Sequence, residues 1–346
     1  AMLALFCPPG STVLMARASH TAAIHAAALL DLSPVWLWPD EPSGVGTPGL
    51  VSCDAVAQGL AAYPNASAVY LTSPDYFGSM SDISQLAAHC RAASVPLLVD
   101  NAHGAHLTLT GQHPMQLGAD ACCDSLHKTL PALTGAALLH LRNGARRDEA
   151  RRCLNLFGST SPSYLVMLSA DRLAGTFTAL RTPWQALQVE MDELRKAAVR
   201  KGIWATVGRC DATRVALLFP DGERSTAAGL LNMLAIEPEY LSARHIVLIP
   251  APGMDLAPVR LLIERLPSLT QAPALPHVPT PERVMGLREA VLSPSLRIPL
   301  SEAVGRVCAA PLTPCPPGLP LVMPGERIWP GIDQIFTGMP GCFVIQ

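Results

Sequence analysis

The chain reads as an α/β protein, a mostly parallel, doubly wound sheet followed by a smaller α+β unit. Two observations carry that reading. Short apolar runs of four to six residues recur between residues 12 and 100, separated by Ala-rich stretches of helix length, and strands buried on both faces of a parallel sheet have this continuous apolar character. The polar residues that close such runs, Asp100 and Ser125 among them, would then stand at carboxyl ends of strands, the edge where open α/β sheets bind ligands.

The elements follow in order. TVLMA (12–16), PVWLWP (34–39), SAVYLT (67–72) and VPLLVD (95–100) read as strands, and HTAAIHAAALL, AVAQGLAAY and ISQLAAHCRAA as the helices between them. DACCDS (120–125) and GAALLHL (135–141) add two strands, and ARRDEARRCLNLF reads as a charged surface segment. From about 160 to 200 the apolar spacing turns helical. TRVALLFP and RHIVLIP then read as strands of the second unit, with STAAGLLNMLA and DLAPVRLLIERL as its helices. Residues 267–281 hold five prolines, which suit neither helix interiors nor central strands. The expected organisation is a large domain over 1–195, a small α+β domain over 196–266, a linker over 267–281 and a C-terminal region over 282–346 whose prolines demand an irregular path.

Composition bounds the function. A hydrophobic fraction of 49% with 15% charged residues excludes intrinsic disorder, and no apolar run approaches the ~18 residues of a membrane span. The 25 basic and 27 acidic residues leave a net charge of −2, without a basic run that could track phosphates, which argues against nucleic acid. Ten cysteines without a CxxC pair point to a reducing, cytoplasmic compartment. AMLALFCPPGS lacks the basic region of a signal peptide and reads as a sequence entered in mid-helix, either a fragment or a cloning remnant.

Candidate chemistry concentrates at strand ends. Only three lysines occur, and Lys196 and Lys201 sit among charged residues that suit a solvated helix face. Lys128, in DSLHKTLPALTGAALLH, follows a strand end in a neutral, small-residue setting. A lysine in apolar surroundings has a depressed pKa and becomes a nucleophilic amine suited to a Schiff base. Asp100, in DNAHGAH, either pairs with a pyridinium nitrogen or caps the next helix. His103 and His106 offer an alternative, a metal site with Cys122 or Cys123, but at a spacing that matches no standard site, and no metal is expected. His20 either lies flat on a cofactor ring or packs at a helix start.

The segments GSTVLMARASHTAAIHA, AVYLTSPDYFG, VPLLVDNAHGAH, GADACCDSLHKTLPALTGAALLH, GSTSPSYLVMLSADRLAG, IEPEY with IVLIPAPG, and PCPPGLPLVMPGERI together resemble the Orn/Lys/Arg decarboxylase family. They stand in family order from residue 10 to about 328. The resemblance implies the pyridoxal-phosphate-dependent transferase fold type I and decarboxylation of arginine, lysine or ornithine, within amino-acid metabolism and polyamine biosynthesis. It implies that Lys128 carries pyridoxal 5'-phosphate as a Schiff base, that Asp100 keeps the pyridine nitrogen protonated, that His20 stacks on the ring and that His103 lies beside it. Ser125 and His127 would contact the phosphate or position the lysine. Ser159, Thr160 and Ser161 would reach toward a phosphate or the site's mouth, and the enzyme would be a homodimer.

Departures from the family pattern are Asn101 for Glu, Gly135 for Gln and Cys315 for Tyr. The family's phosphate-cradling loop would lie just ahead of residue 1. Two other readings stay open at this point: a different reaction of the same fold, such as transamination, elimination or aldol cleavage, and a cofactor-free structural or regulatory homologue.

Overall fold

The computed structural model describes residues 1–40, 50–159, 161–206, 208–269, 278–313, 318–336 and 339–346. A short apolar helix, α1 (Met2–Phe6), leads into β1 (Thr12–Ala16), α2 (Thr21–Leu29), β2 (Ser33–Leu37), α3 (Cys53–Ala62), β3 (Val69–Thr72), α4 (Ile83–Ala92) and β4 (Leu97–Asp100). Then come α5 (Pro114–Leu117), β5 (Ala121–Ser125), α6 (Leu126–Thr129) and β6 (Ala137–Leu141). The strands form one sheet in the order β2-β1-β3-β4-β5-β6, parallel except for β6, which runs antiparallel to β5.

Both faces of this sheet are covered, which explains the unbroken apolar runs. Leu14, Leu71, Leu97 and Val99 point to the side where Val56 and Leu60 of α3 and Leu86 of α4 pack. Val13, Met15, Tyr70 and Leu98 point to the opposite side, against Ile24 and Ala27 of α2 and Leu3 of α1. The fold is thus the expected mostly parallel, doubly wound sheet. Strand order reverses between β1 and β3, the switch point where the carboxyl edge opens a crevice. Helix starts are capped as their sequences suggest: Ser52 Oγ accepts from Ala55 N at the start of α3, and Asp82 Oδ1 from Gln85 N at that of α4.

The charged segment 145–157 contains α7 (Arg147–Phe157), which buries Ala150 and Cys153 against Leu5 of α1. After α8 (Tyr164–Thr176) and α9 (Arg181–Arg200) come β7 (Trp204–Ala205), β8 (Val215–Leu218), α10 (Arg224–Met233), β9 (Tyr240–Leu241), β10 (His245–Leu248) and α11 (Ala257–Arg265). These strands form an antiparallel sheet in the order β7-β8-β10-β9. The expected boundary at 195/196 falls inside α9, whose Trp184, Leu187, Met191 and Leu194 share a core with Val215 and Leu217 of β8.

The C-terminal region is more regular than its prolines suggest. It carries α12 (Leu287–Leu292), β11 (Ser295–Ile298), α13 (Ile332–Ile335) and β12 (Cys342–Ile345), with β11 and β12 paired antiparallel. Leu300, Cys308, Leu312, Val322, Ile328 and Val344 give it a core of its own. Residues 270–277 of the expected linker lie outside the described residues. Among the described residues no helix is long and apolar enough to cross a membrane.

Candidate active site

A cavity of about 570 Å³ opens at the carboxyl edge of the large sheet, roofed by the C-terminal region. Its wall combines Ser19, His20 and Thr21 after β1, Tyr76 after β3, His103 after β4, His127 and Lys128 in α6, and Glu239 before β9, with Thr313, Gly318 and Pro320 from the C-terminal region. The residues of the first domain meet because each follows a strand of the large sheet whose carboxyl end faces the same crevice, and Glu239 and the C-terminal region close it from outside that sheet.

Lys128 stands one turn past the end of β5, and its Nζ lies 3.1 Å from His103 Nε2. Burial lowers the pKa of its amine; Asp100 opposes that shift and Arg214 adds to it. His103 is carried by the turn after β4, where it packs edge-on to Tyr76 at 5.8 Å. That turn needs Gly104, since a Cβ there would sit 2.1 Å from Asn101 Oδ1 and 2.8 Å from Pro74 Cδ. Burial first, then the charges of Arg214 and Lys128, push the imidazole down to about 2, so it is neutral at ordinary pH.

His20 caps α2, its Nδ1 accepting from Ala22 N at 3.1 Å while the ring borders the cavity. Its capping and cavity-lining roles therefore coexist. Asp100 is buried beneath the wall, with Oδ2 accepting from Tyr70 Oη at 3.2 Å and Oδ1 from Ala102 N at 3.1 Å. His127 Nδ1 donates to the Ala136 carbonyl at 3.2 Å, so Nε2 is left as an acceptor and would meet a phosphate only as imidazolium. Ser125 is the N-cap residue of α6, without a side-chain cap bond. Ser159 is exposed and accepts from Ser161 N at 3.1 Å, away from the cavity lining. Thr160 and Cys315 lie outside the described residues.

The donor set fits pyridoxal phosphate. A partly buried amine, a carboxylate whose charge acts on it and imidazoles on the same wall are what an aldehyde-bearing pyridine ring requires. Lys128, Asp100, His20 and His103 would hold the ring, and Ser125 and His127 are the candidates for the phosphate.

The alternative metal set comes apart. His106 turns into the core, with Nε2 3.0 Å from Asp211 Oδ1 and its ring stacked on Trp184 at 4.6 Å, whereas both nitrogens of His103 are engaged elsewhere. A different cluster forms behind the sheet: Asp124 accepts from His113 Nε2 at 3.0 Å, His140 Nε2 at 2.8 Å and Asn101 Nδ2 at 2.6 Å, with Cys122 Sγ 3.8 Å from His113. His113 Nδ1 accepts from Met115 N at 3.3 Å, so its proton sits on Nε2 and points at the carboxylate. A metal on Nε2 would move that proton to Nδ1, against the Met115 N–H, so the cluster is a hydrogen-bonded network.

Sequence reasoning missed Tyr76, Glu239 and Arg214. The first two lie inside recognised segments, DYFG and IEPEY, but nothing in their local spacing marks them. Arg214 was absorbed into the apolar run of β8, and only the fold brings it to His103.

Comparison with known proteins agrees with this architecture. The family model described as the Orn/Lys/Arg decarboxylase major domain matches residues 1–212, and the model of that family's C-terminal domain matches 279–336. Among curated relatives, the uncharacterized protein YaaO of Bacillus subtilis is 30% identical over 95% of this chain and 73% of its own length. An arginine decarboxylase of the same organism is 27% identical over 100% of this chain and 76% of its own length. Among solved structures, the lysine decarboxylase LdcF of Francisella novicida superposes with a TM-score of 0.74 at 16% identity, over 99% of this chain and 67% of that one. The constitutive lysine decarboxylase of Escherichia coli gives 0.74 at 18%, over 98% and 66%. With the large sheet, the C-terminal region and both family models in agreement, the chain belongs to the Orn/Lys/Arg decarboxylase family.

Proposed function

We propose that the chain decarboxylates a basic amino acid, arginine, lysine or ornithine, with pyridoxal phosphate held at Lys128. The observation that carries this reading is one cavity combining the Lys128 amine, the imidazoles of His20, His103 and His127, and the carboxylate of Glu239. When bound, the cofactor supplies an electron sink for the pair left behind as CO2 departs. The chain's own residues bind and orient. Lys128 offers an amine whose pKa burial lowers, and Asp100 would be the carboxylate that keeps the pyridine nitrogen protonated. His20, on the cavity wall, would pack against the ring. Glu239, whose Oε1 accepts from Tyr76 Oη at 3.3 Å, takes the distal cation of the substrate. Reprotonation at the substrate's α-carbon falls to Lys128 or His103, whose Nζ and Nε2 stand 3.1 Å apart.

The same reading includes a second copy of the chain. Tyr164, Leu165, Met167 and Leu168 of α8 are 84, 68, 52 and 54% exposed, an apolar surface that a monomer would leave in water. A homodimer covering this face fits it, and Leu165→Glu should halve the mass measured by light scattering. A reducing cytoplasm suits the nine described cysteines, none of which forms a disulfide.

The functional test is product analysis. With pyridoxal phosphate present, one of the three basic amino acids should yield CO2 and its amine in equal amounts. A keto acid instead, or no turnover in a chain that takes up the cofactor, would contradict the decarboxylase reading.

A further inference from the structure

Arg214 enters the site from the second sheet. It is fully buried, yet its partners are the carbonyls of Asp75 at 3.0 Å and Tyr76 at 2.9 Å and, through its other terminal nitrogen, His103 Nδ1 at 3.1 Å. Its placement is built. Asp211 Oδ1 accepts from Thr213 N at 2.9 Å and Thr213 Oγ1 at 2.8 Å, while buried Arg195 of α9 donates to the carbonyls of Asp211 at 3.0 Å and Arg214 at 3.2 Å. The arginine's stem lies against Gly78, whose φ of +93° belongs to the left-handed region and where a Cβ would meet Arg214 Cδ at 3.3 Å.

A guanidinium is a donor only. Its bond to His103 therefore makes Nδ1 the acceptor, and a neutral imidazole must then carry its proton on Nε2. That nitrogen faces Lys128 Nζ at 3.1 Å. An ammonium has no lone pair to receive a proton donor, whereas a free amine has one. Resting on the assignment of Lys128 as the cofactor lysine, we propose that Arg214 is a positioning residue: by donating to His103 Nδ1 it directs the imidazole N–H at Lys128 and holds that lysine as the acceptor amine.

The charges facing Lys128 are consistent with this. Asp100, Cys123 and Glu239 favour the ammonium, burial and Arg214 oppose it, and His20 and His127 complete the wall. Arg214 is thus the cation that offsets the carboxylates.

The tautomer can be read in the full chain purified without added cofactor, by nitrogen-15 spectra of its histidine rings with His103 assigned through His103→Gln. The expected result is a neutral Nε2–H ring from pH 5 to 9, which Arg214→Lys retains and Arg214→Met converts to a mixture. A second readout is the pH profile of lysine acylation, resolved by peptide mass spectrometry with Lys196 and Lys201 as internal references. Lys128 should react at lower pH than either, and Arg214→Met should raise its midpoint by about one unit, the size expected on removing a nearby charge. A Nδ1–H ring in the unaltered chain, or a Lys128 profile coinciding with those of Lys196 and Lys201, overturns the proposal even if Arg214→Met does not fold. Neither readout involves the cofactor, so pyridoxal phosphate capture at Lys128 tests the functional reading separately.

Discussion

Two arginines are almost completely buried at the carboxyl edge of the large sheet, Arg17 at 1% exposure and Arg214 at 0%, and they are used differently. Arg17 follows β1 and meets Glu326, its Nη1 2.8 Å from Oε1, while Nε and Nη2 donate to the carbonyls of Pro320 and Leu321 at 2.8 and 3.0 Å. Trp38 covers its guanidinium at 4.1 Å. Its charge is neutralised where it sits, and the result is a clamp fixing the C-terminal region over the cavity. Arg214 has carbonyls and an imidazole in place of a carboxylate, and its Nε has no partner. Its field therefore falls on several neighbours, favouring the ionised Asp75 and Asp211 carboxylates and helping to lower His103 and Lys128. A buried cation bonded directly to one carboxylate fastens a structure, and one whose charge is shared among several groups tunes them.

The largest effect on function belongs to the lysine that Arg214 acts on. Lys128→Ala should reduce turnover to background with little change in melting temperature, while Lys196→Ala and Lys201→Ala leave turnover intact. Equal loss in all three, followed by CO2 release, would break the assignment. Arg17→Met should act on the other side of the comparison, by stranding Glu326 and costing about 3–5 kcal/mol of stability in denaturant unfolding. The double change Arg17→Met with Glu326→Leu should recover most of that, and the acylation profile of Lys128 should stay put in both.

The strands of the large sheet were legible because burial on both faces writes them as apolar runs, and their ends told where the ligand edge lies. The two-residue strands β7 and β9 were not, being too short to leave a pattern, and β11 and β12 find each other across more than forty residues. Lys128, His103 and His20 could be singled out from their positions after strands. Arg214 and Glu239 could not, since both come from the second unit, Glu239 to the cavity wall and Arg214 to His103. The Asp124 network required the register: Cys122 and Asp124 share a face of β5, and Cys122 stands opposite His140 on β6.

That network supplies a third test. Burial alone would raise the Asp124 carboxyl, but hydrogen bonds from His113 and His140 hold it well below the usual range. The stability it contributes is present above about pH 4, the ordinary aspartate value, and is lost as pH falls toward the depressed folded value. Asp124→Asn should cost about 1–3 kcal/mol at pH 7 and flatten the acid limb of a stability–pH curve, without moving the Lys128 profile. The smallest effect belongs to exposed Glu239: Glu239→Gln should raise KM for the basic substrate about 2–5-fold, the worth of a solvated ion pair, with kcat unchanged in steady-state assays.

The measurement closest to the central claim is borohydride reduction of the chain after exposure to pyridoxal phosphate, followed by peptide mapping. A single pyridoxyl group on Lys128, with Lys196 and Lys201 unlabelled, is the expected result. Label on either surface lysine while Lys128 stays bare would contradict the assignment of the cavity as the cofactor site.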